Sequence, residues 1–551
     1  MSNTFSVFAA SALAASLTLA FPAHAAHVAH AMGASKVQEG ALRTHLEFLS
    51  SDALEGRGTG QRGGDLTVAY LESQALGAGL KPAAGAGFRQ SVKIVGVKVL
   101  PDQSNIHLEA DGKTLPIAFG RDWVWAPGDG QASRKIDTEL VFVGYGISAP
   151  EEGWDDYKGA NCAGKVLVML VNDPRPTAAE PARFGGKAMT YYGRWSYKFE
   201  EAKRRGAAGV LLIHTDASAT YAWGVVQNGW GLAERFQPAD GNVGSGVQGW
   251  LTEAAARTLF TAGGQNLDKL RAAAERKDFL PIMLTAKLKG EMKSAVRKVE
   301  QFNIAGLVPG RDPKLKDEVV IYSAHWDHLG KLSATGEIFN GAVDNASGSA
   351  ALLAMAKAAA RKPARRSQMF LWTAAEEQGL LGSAAYAASP LWPLNKTAAD
   401  LNLDTLNSVG ATRDIGVDGS QRSDLGKTAE KVARSMGLHI DRADPDLRGD
   451  YFRGDHFNFA KAGVPAFSID SGHEFVRNQA ASMAKVEAYG KRYHQSSDKY
   501  DAAWDLGGMT QQAQFTLNLG QAIANAPKMP AWKAGDALGR VRSAPTSAAR
   551  P

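Results

Sequence analysis

The chain has 551 residues, of which 44% are hydrophobic and 21% charged, with a net charge of +6. That length permits more than one domain, and the composition excludes a disordered or collagen-like chain. The basic residues are dispersed, and a short group such as Ala360 to Arg366 reads as a solvated connection, so no nucleic-acid partner is expected.

In chain order, the first element is an apolar run from Phe5 to Phe21, followed by Ala23-His24-Ala25, a small-residue cleavage pattern. Residues 1–25 therefore read as a signal peptide, and the expected location is secreted or periplasmic. The segment before the run lacks Lys and Arg, which leaves an uncleaved anchor as the alternative. No other segment reads as a membrane span, so no stable membrane association is expected after cleavage. The single cysteine, Cys162, cannot form an intrachain disulfide; stability must come from the core and from metal.

Residues 26–129 read as helix, glycine-rich loop and helix, the second helix marked by Val68, Leu71 and Ala75, and then lead-in strands from about Val92. A β-rich block covers 130–290 and includes a helix stopped by Gly206 and Gly209 before the apolar strand Val210 to His214. From 291 to 530, strand and helix alternate: "DEVVIYSA", "SGSAALLAMAKAAA", "QMFLWTA", "LLGSAAYAA", "ADLNLD", "LGKTAEKVARSMG", "VPAFSID". This predicts an α/β fold, a mostly parallel mixed sheet with helices on both faces. Residues 531–551 are small and polar and read as a disordered tail.

Ligands of such sheets bind beyond the carboxyl ends of the strands. There the sequence places His325, Asp327 and His328, then Asp344 before a helix, Glu376 and Glu377, Asp404, and later His494 and Asp498. Singly, each has an ordinary explanation: a helix cap for Asp344, a turn for Asp404, a solvated loop for the paired glutamates. Jointly, histidines and carboxylates without cysteine suit zinc, or another borderline divalent ion, in an open catalytic site. They exceed the three protein ligands of an ordinary mononuclear catalytic zinc site, which favours two ions sharing a carboxylate. Three ligating carboxylates and one hydroxide would balance the charge of two divalent cations.

The motifs "SAHWDHLG", "GAVDNASG", "TAAEEQGLLGS", "LNLD" and "YHQSSD", in that order, resemble the co-catalytic zinc aminopeptidases and their glutamate-carboxypeptidase relatives, the clan MH metallopeptidases. The resemblance runs from about Gly40 to Asn525, and "SSDALEGRGTG" fits it. The middle block, with "VFVGYGI" and "EEAKRRGAAGVLLIHT", resembles the protease-associated (PA) domain inserted in many members. The resemblance implies two Zn(2+) ions, His325 and Asp404 on one, Glu377 and His494 on the other, and Asp344 between them. It gives Asp327 the task of orienting the His325 ring and leaves Glu376 unligated as the general base. His328 is not a ligand on this reading, and Asp455 and Asp498 are supporting groups. Thr405 departs from the pattern, since many members have an apolar residue there.

The implied activity is that of an exported metallo-exopeptidase acting on peptides, an aminopeptidase first and a carboxypeptidase or dipeptidase second. The second would need cations for a terminal carboxylate; Arg448 and Arg453 are candidates that read equally as surface arginines. A receptor-like homologue would be expected to have lost ligands or the base, and this chain has them all.

Overall fold

The computed structural model describes residues 36–239, 246–441 and 446–539. The expected signal peptide and the tail beyond residue 539 lie outside the described residues. Runs of β-branched and aromatic residues become the central strands. Val319–His325, Ser367–Thr373 and Thr397–Asn402 are buried along their whole lengths, as parallel strands between two helical layers must be. Across the sheet the order is Arg89–Val99, Ile282–Val308, Ser367–Thr373, Val319–His325, Thr397–Asn402, Ala466–Ser471 and Asp414–Asp418. The four strands from Ser367–Thr373 to Ala466–Ser471 are mutually parallel, Ile282–Val308 and Asp414–Asp418 run against them, and Arg89–Val99 runs against Ile282–Val308. The fold is therefore mixed α/β, and the alternation in the sequence missed Asp414–Asp418, whose "DIGVD" is too short and polar to stand out.

Side chains alternate along Val319–His325: Val320, Tyr322 and Ala324 enter one core, Val319 and Ile321 another. The first core is closed by the helices Glu39–Leu49, Ser347–Ala360 and Gly507–Asn525, the second by Leu381–Ala388 and His456–Lys461. Ser347–Ala360 is rich in alanine, the best helix former, whose small side chain lets the helix lie almost wholly buried.

The 27-residue strand Ile282–Val308 joins this half to a second one. Its first part pairs with Ser133–Phe142, its later part with Arg89–Val99 and then Ser367–Thr373. In the second half Val166–Leu170, Gly209–His214 and Val247–Thr252 lie parallel around a third hydrophobic core, from Val99 to Met292. Boundaries expected at 130 and 290 do not coincide with breaks in this half. His107–Ala110 and Trp123–Pro127 already hydrogen-bond into it, and Ile282–Val308 passes through its end without interruption. A strand shared by two halves carries no change of hydrophobic rhythm to mark the border. The tail expected to be disordered from 531 is also packed at its start: Trp532 Nε1 donates to the Gly463 carbonyl at 2.8 Å, and Arg422 pairs with Asp536 at 3.2 Å. One tryptophan amid small residues was enough to anchor it.

Candidate metal centre

Each strand end delivers its side chain to one place. His325 closes its strand, Glu376 and Glu377 follow Thr373, and Asp404 follows Asn402. Asp344 lies in the irregular turn Ala342–Ala346 that feeds the helix Ser347–Ala360. His494 arrives from the loop after the helix Gln479–Gly490. The backbone is left-handed at Ala375 (φ 53°), Thr405 (56°) and His494 (57°). Such conformations cost a non-glycine residue about 1–3 kcal/mol and gather at functional sites.

The side chains form two groups that share Asp344. Its Oδ1 lies 3.3 Å from His325 Nε2, and Asp404 Oδ1 is also 3.3 Å from that nitrogen. Its Oδ2 lies 3.1 Å from His494 Nε2, which is 3.0 Å from Glu377 Oε2. His328, a strand-end candidate that the resemblance leaves out of the ligand set, is buried beside the second group: its Nδ1 is 2.6 Å from Glu377 Oε1 and 3.9 Å from Asp344 Oδ2. His328, Asp344 and Glu377 form a set able to hold an ion, as do His325, Asp344 and Asp404. The structure thus brings two histidines, His328 and His494, to Glu377. Adjacency to Asp327 hid this, because sequence alone does not say which way the "HWDH" side chains turn.

Glu376 Oε2 stands 4.0 Å from His325 Nε2, at the edge of both groups. Burial pushes its carboxyl well above the usual carboxylate range; His325 opposes this, and Asp404 and Glu377 add to it. Asp327 acts differently from expectation. Its backbone carbonyl, not its carboxylate, faces His325 Nδ1 at 3.1 Å, while the carboxylate oxygen stands at 3.8 Å. The carboxylate instead accepts the backbone N–H groups of Glu376 at 3.0 Å and Glu377 at 3.4 Å, and so holds the glutamate loop. Asp498 does the same for the shared carboxylate, accepting the N–H groups of Val343 and Asp344 at 3.1 Å. Asp455 is buried and accepts the hydroxyls of Thr373 and Ser383.

The site opens on a cleft of about 2420 Å³ lined by both halves of the molecule. The sheet supplies Asp418 and Asp470 beside Asp404, and the second half supplies Arg194, Trp195, Tyr221 and Trp230. Arg448 and Arg453 line the cleft, but both are paired to Asp450, at 3.3 and 3.2 Å. Sequence reasoning missed Arg194. It is 9% exposed, its Nη1 donates to the Arg448 carbonyl at 3.2 Å, its Nε has no partner, and no carboxylate of the described residues pairs with it. Nothing in "GRW" marks that burial.

The donor set fits zinc. Imidazole nitrogens and carboxylate oxygens are the ligands of open catalytic zinc sites. His494 Nε2 is buried and faces two carboxylates without an aligned hydrogen bond to either, as ligands aimed at a common point do. Among the described residues the ion pairs of Asp344, Asp404, Glu376 and Glu377 are all with histidines, which leaves the carboxylate charge available to cations.

A family model described as Peptidase family M28 matches residues 303–519. Leucine aminopeptidase 2 of Trichophyton rubrum is 31% identical over 418 residues, covering 74% of this chain and 71% of that protein. The chain belongs to peptidase family M28. Leupeptin-inactivating enzyme 1 of Streptomyces exfoliatus is 28% identical to this M28 chain over 254 residues, 42% of this chain and 54% of that enzyme. The M28 chain thus spans about half the length of that curated relative. The solved aminopeptidase from Aneurinibacillus sp. strain AM-1 aligns over 90% of this chain and 96% of its own, with a TM-score of 0.48 and 17% identity.

Proposed function

We propose that this M28 chain is a zinc-dependent aminopeptidase that removes N-terminal residues from peptides and holds two zinc ions. The observation that carries this reading is the division of Asp344, one oxygen toward His325 and Asp404, the other toward His494 and Glu377. When bound, zinc supplies Lewis acidity, polarising the scissile carbonyl and making water a better nucleophile. Glu376, at the edge of the ligand groups with Oε2 4.0 Å from His325 Nε2, takes a proton from the attacking water and returns it to the leaving amine. Asp327 fixes the loop that aims Glu376. Asp418 and Asp470, on the cleft wall, are the acidic groups that meet a protonated N-terminus. The walls supplied by the second half, which we assign to a PA-type insert, restrict the cleft to short peptides. Export follows from the apolar leader read in the sequence, and no helix of the described residues is long and apolar enough to cross a membrane. Fractionation of cells, with N-terminal sequencing of the mature chain, tests the location.

One observation favours a second reading, a carboxypeptidase or dipeptidase: the buried, unpaired Arg194, which suits a substrate carboxylate. An aminoacyl anilide and an N-blocked dipeptide with a free C-terminus separate the two. We expect cleavage of the anilide alone, lost on chelation, restored by zinc, and reduced about 10²–10⁴-fold in kcat by Glu376→Ala with zinc retained. Cleavage of the blocked dipeptide alone would replace the first reading by the second.

A further inference from the structure

Behind the ligand loops lies Arg57, from "LEGRGTG". Its side chain is 1% exposed, and among the described residues it makes no ion pair. Its donors go to backbone carbonyls instead: Nε to Trp326 at 2.8 Å, Nη1 to Leu49 at 2.7 Å and Asn340 at 2.6 Å, and Nη2 to Gly341 at 2.8 Å. Trp326 stands between His325 and Asp327, and Asn340 and Gly341 lead into the turn that holds Asp344. One rigid guanidinium plane therefore ties the loop of His325 to the loop of the shared carboxylate.

The chain takes on strain to place it. Glu55, Gly56 and Arg57 are left-handed in succession, with φ of 47°, 69° and 53°. For the two non-glycine residues this costs about 1–3 kcal/mol each. A Cβ on Gly56 would collide with the carbonyls of Phe339 and Gly330, so the turn lies directly against the strand that runs into Asn340. The Arg57 carbonyl in turn accepts the N–H of His328 at 3.3 Å. A buried arginine with four carbonyl partners, on a strained turn, is more than a helix-to-loop connection needs.

We propose that Arg57 is a positioning residue of the metal centre: it sets the spacing between the His325 loop and the Asp344 loop, and with it the affinity for zinc, without touching zinc or substrate. The proposal rests on the zinc reading above. Groups that orient metal ligands typically contribute 10–100-fold in affinity. A lysine keeps the charge but presents one point rather than a fork, so it does not span four carbonyls.

The test compares wild type, Arg57→Ala and Arg57→Lys by chelator competition for zinc, far-UV circular dichroism, and kcat and KM on the anilide. We expect wild type to take up two zinc ions and Arg57→Ala to remain folded with zinc affinity lowered about 10–100-fold. Its kcat should fall with KM within about twofold, and added guanidinium ion should restore kcat and affinity together. Arg57→Lys should fall between. Wild-type zinc affinity in folded Arg57→Ala overturns the proposal, and so does loss of fold in both variants, which would make Arg57 a scaffold residue. A wild-type protein that takes up no zinc would remove the metal reading itself, a result distinct from a wild type that binds zinc and an Arg57→Ala that matches it.

Discussion

In the half closed by the third core, Lys198 is wholly buried with Asp156 and Asp173; at the strand ends of the other half, four carboxylates meet with histidines as their ion-pair partners. The Lys198 ammonium donates to the Asn172 carbonyl at 3.2 Å and faces the rings of Tyr145 and Tyr197 at 5.8 and 5.9 Å. Asp156 accepts from the Ile147 N–H at 2.9 Å and Trp154 Nε1 at 2.8 Å. Burial drives Lys198 down to about 8 and both aspartates up to about 7, and each partner offsets the other. That cluster has its own cation, which acts on both carboxylates through its field and not through a contact pair. The strand-end cluster carries a cleft instead of a cation, which is the difference between buried charge that holds a fold and buried charge that waits for a ligand. Lys198→Met removes the cation whose charge offsets the two buried carboxylates, so stability should fall by about 3 kcal/mol in denaturant titration. Anilide turnover per folded molecule should stay within about twofold. A large drop in kcat at unchanged stability would show that the closed cluster serves the site.

Much of the strand-end half was legible. The run "VVIYSAH" announces a buried strand because continuous β-branched and aromatic residues have few other uses, and the acidic or histidine residue after each strand is a local signal. The strand-end pattern put His325, Asp344, Glu377, Asp404 and His494 among its candidates, the resemblance singled out those five, and the structure places them together. What stayed hidden depends on direction. That Asp327 turns its carboxylate to the Glu376 loop, that His328 swings to Glu377, and that Arg194 from the other half is buried in the cleft are results of loop paths. Arg57 was hidden for the same reason, since its partners are carbonyls, which have no sequence signature.

His456 sharpens the comparison from within the strand-end half. It lines the cleft, is 1% exposed, and among the described residues neither ring nitrogen has a well-aligned hydrogen-bond partner. Burial lowers it from 6.5 to about 4. The unfolded chain therefore binds a proton that the folded chain refuses. Its stability contribution is present above pH 6.5 and lost as pH falls through about 4, a loss of about 3 kcal/mol. Subtracting the stability–pH curve of His456→Asn from that of wild type should isolate this slope in that window. Parallel curves would show that the ring is reached by water or a proton partner, and that the cleft wall is less dry than the burial implies.

The smallest effect is expected at the rim. Arg453 and Arg448 share Asp450 at 3.2 and 3.3 Å, all three half exposed, so solvent already screens the charges and the side chains give up freedom to meet. Arg453→Ala should change stability by less than about 1 kcal/mol and the anilide kcat/KM by less than about twofold. Arg194 has no such neutraliser among the described residues, and Arg194→Ala should act on KM for substrates with a free carboxylate while sparing the anilide. If Arg453→Ala instead raised KM for the free-carboxylate substrate and Arg194→Ala did not, the rim pair rather than the buried arginine would read the substrate. The distinction drawn between self-paired and waiting charge would then fail at the one place where the two kinds stand side by side.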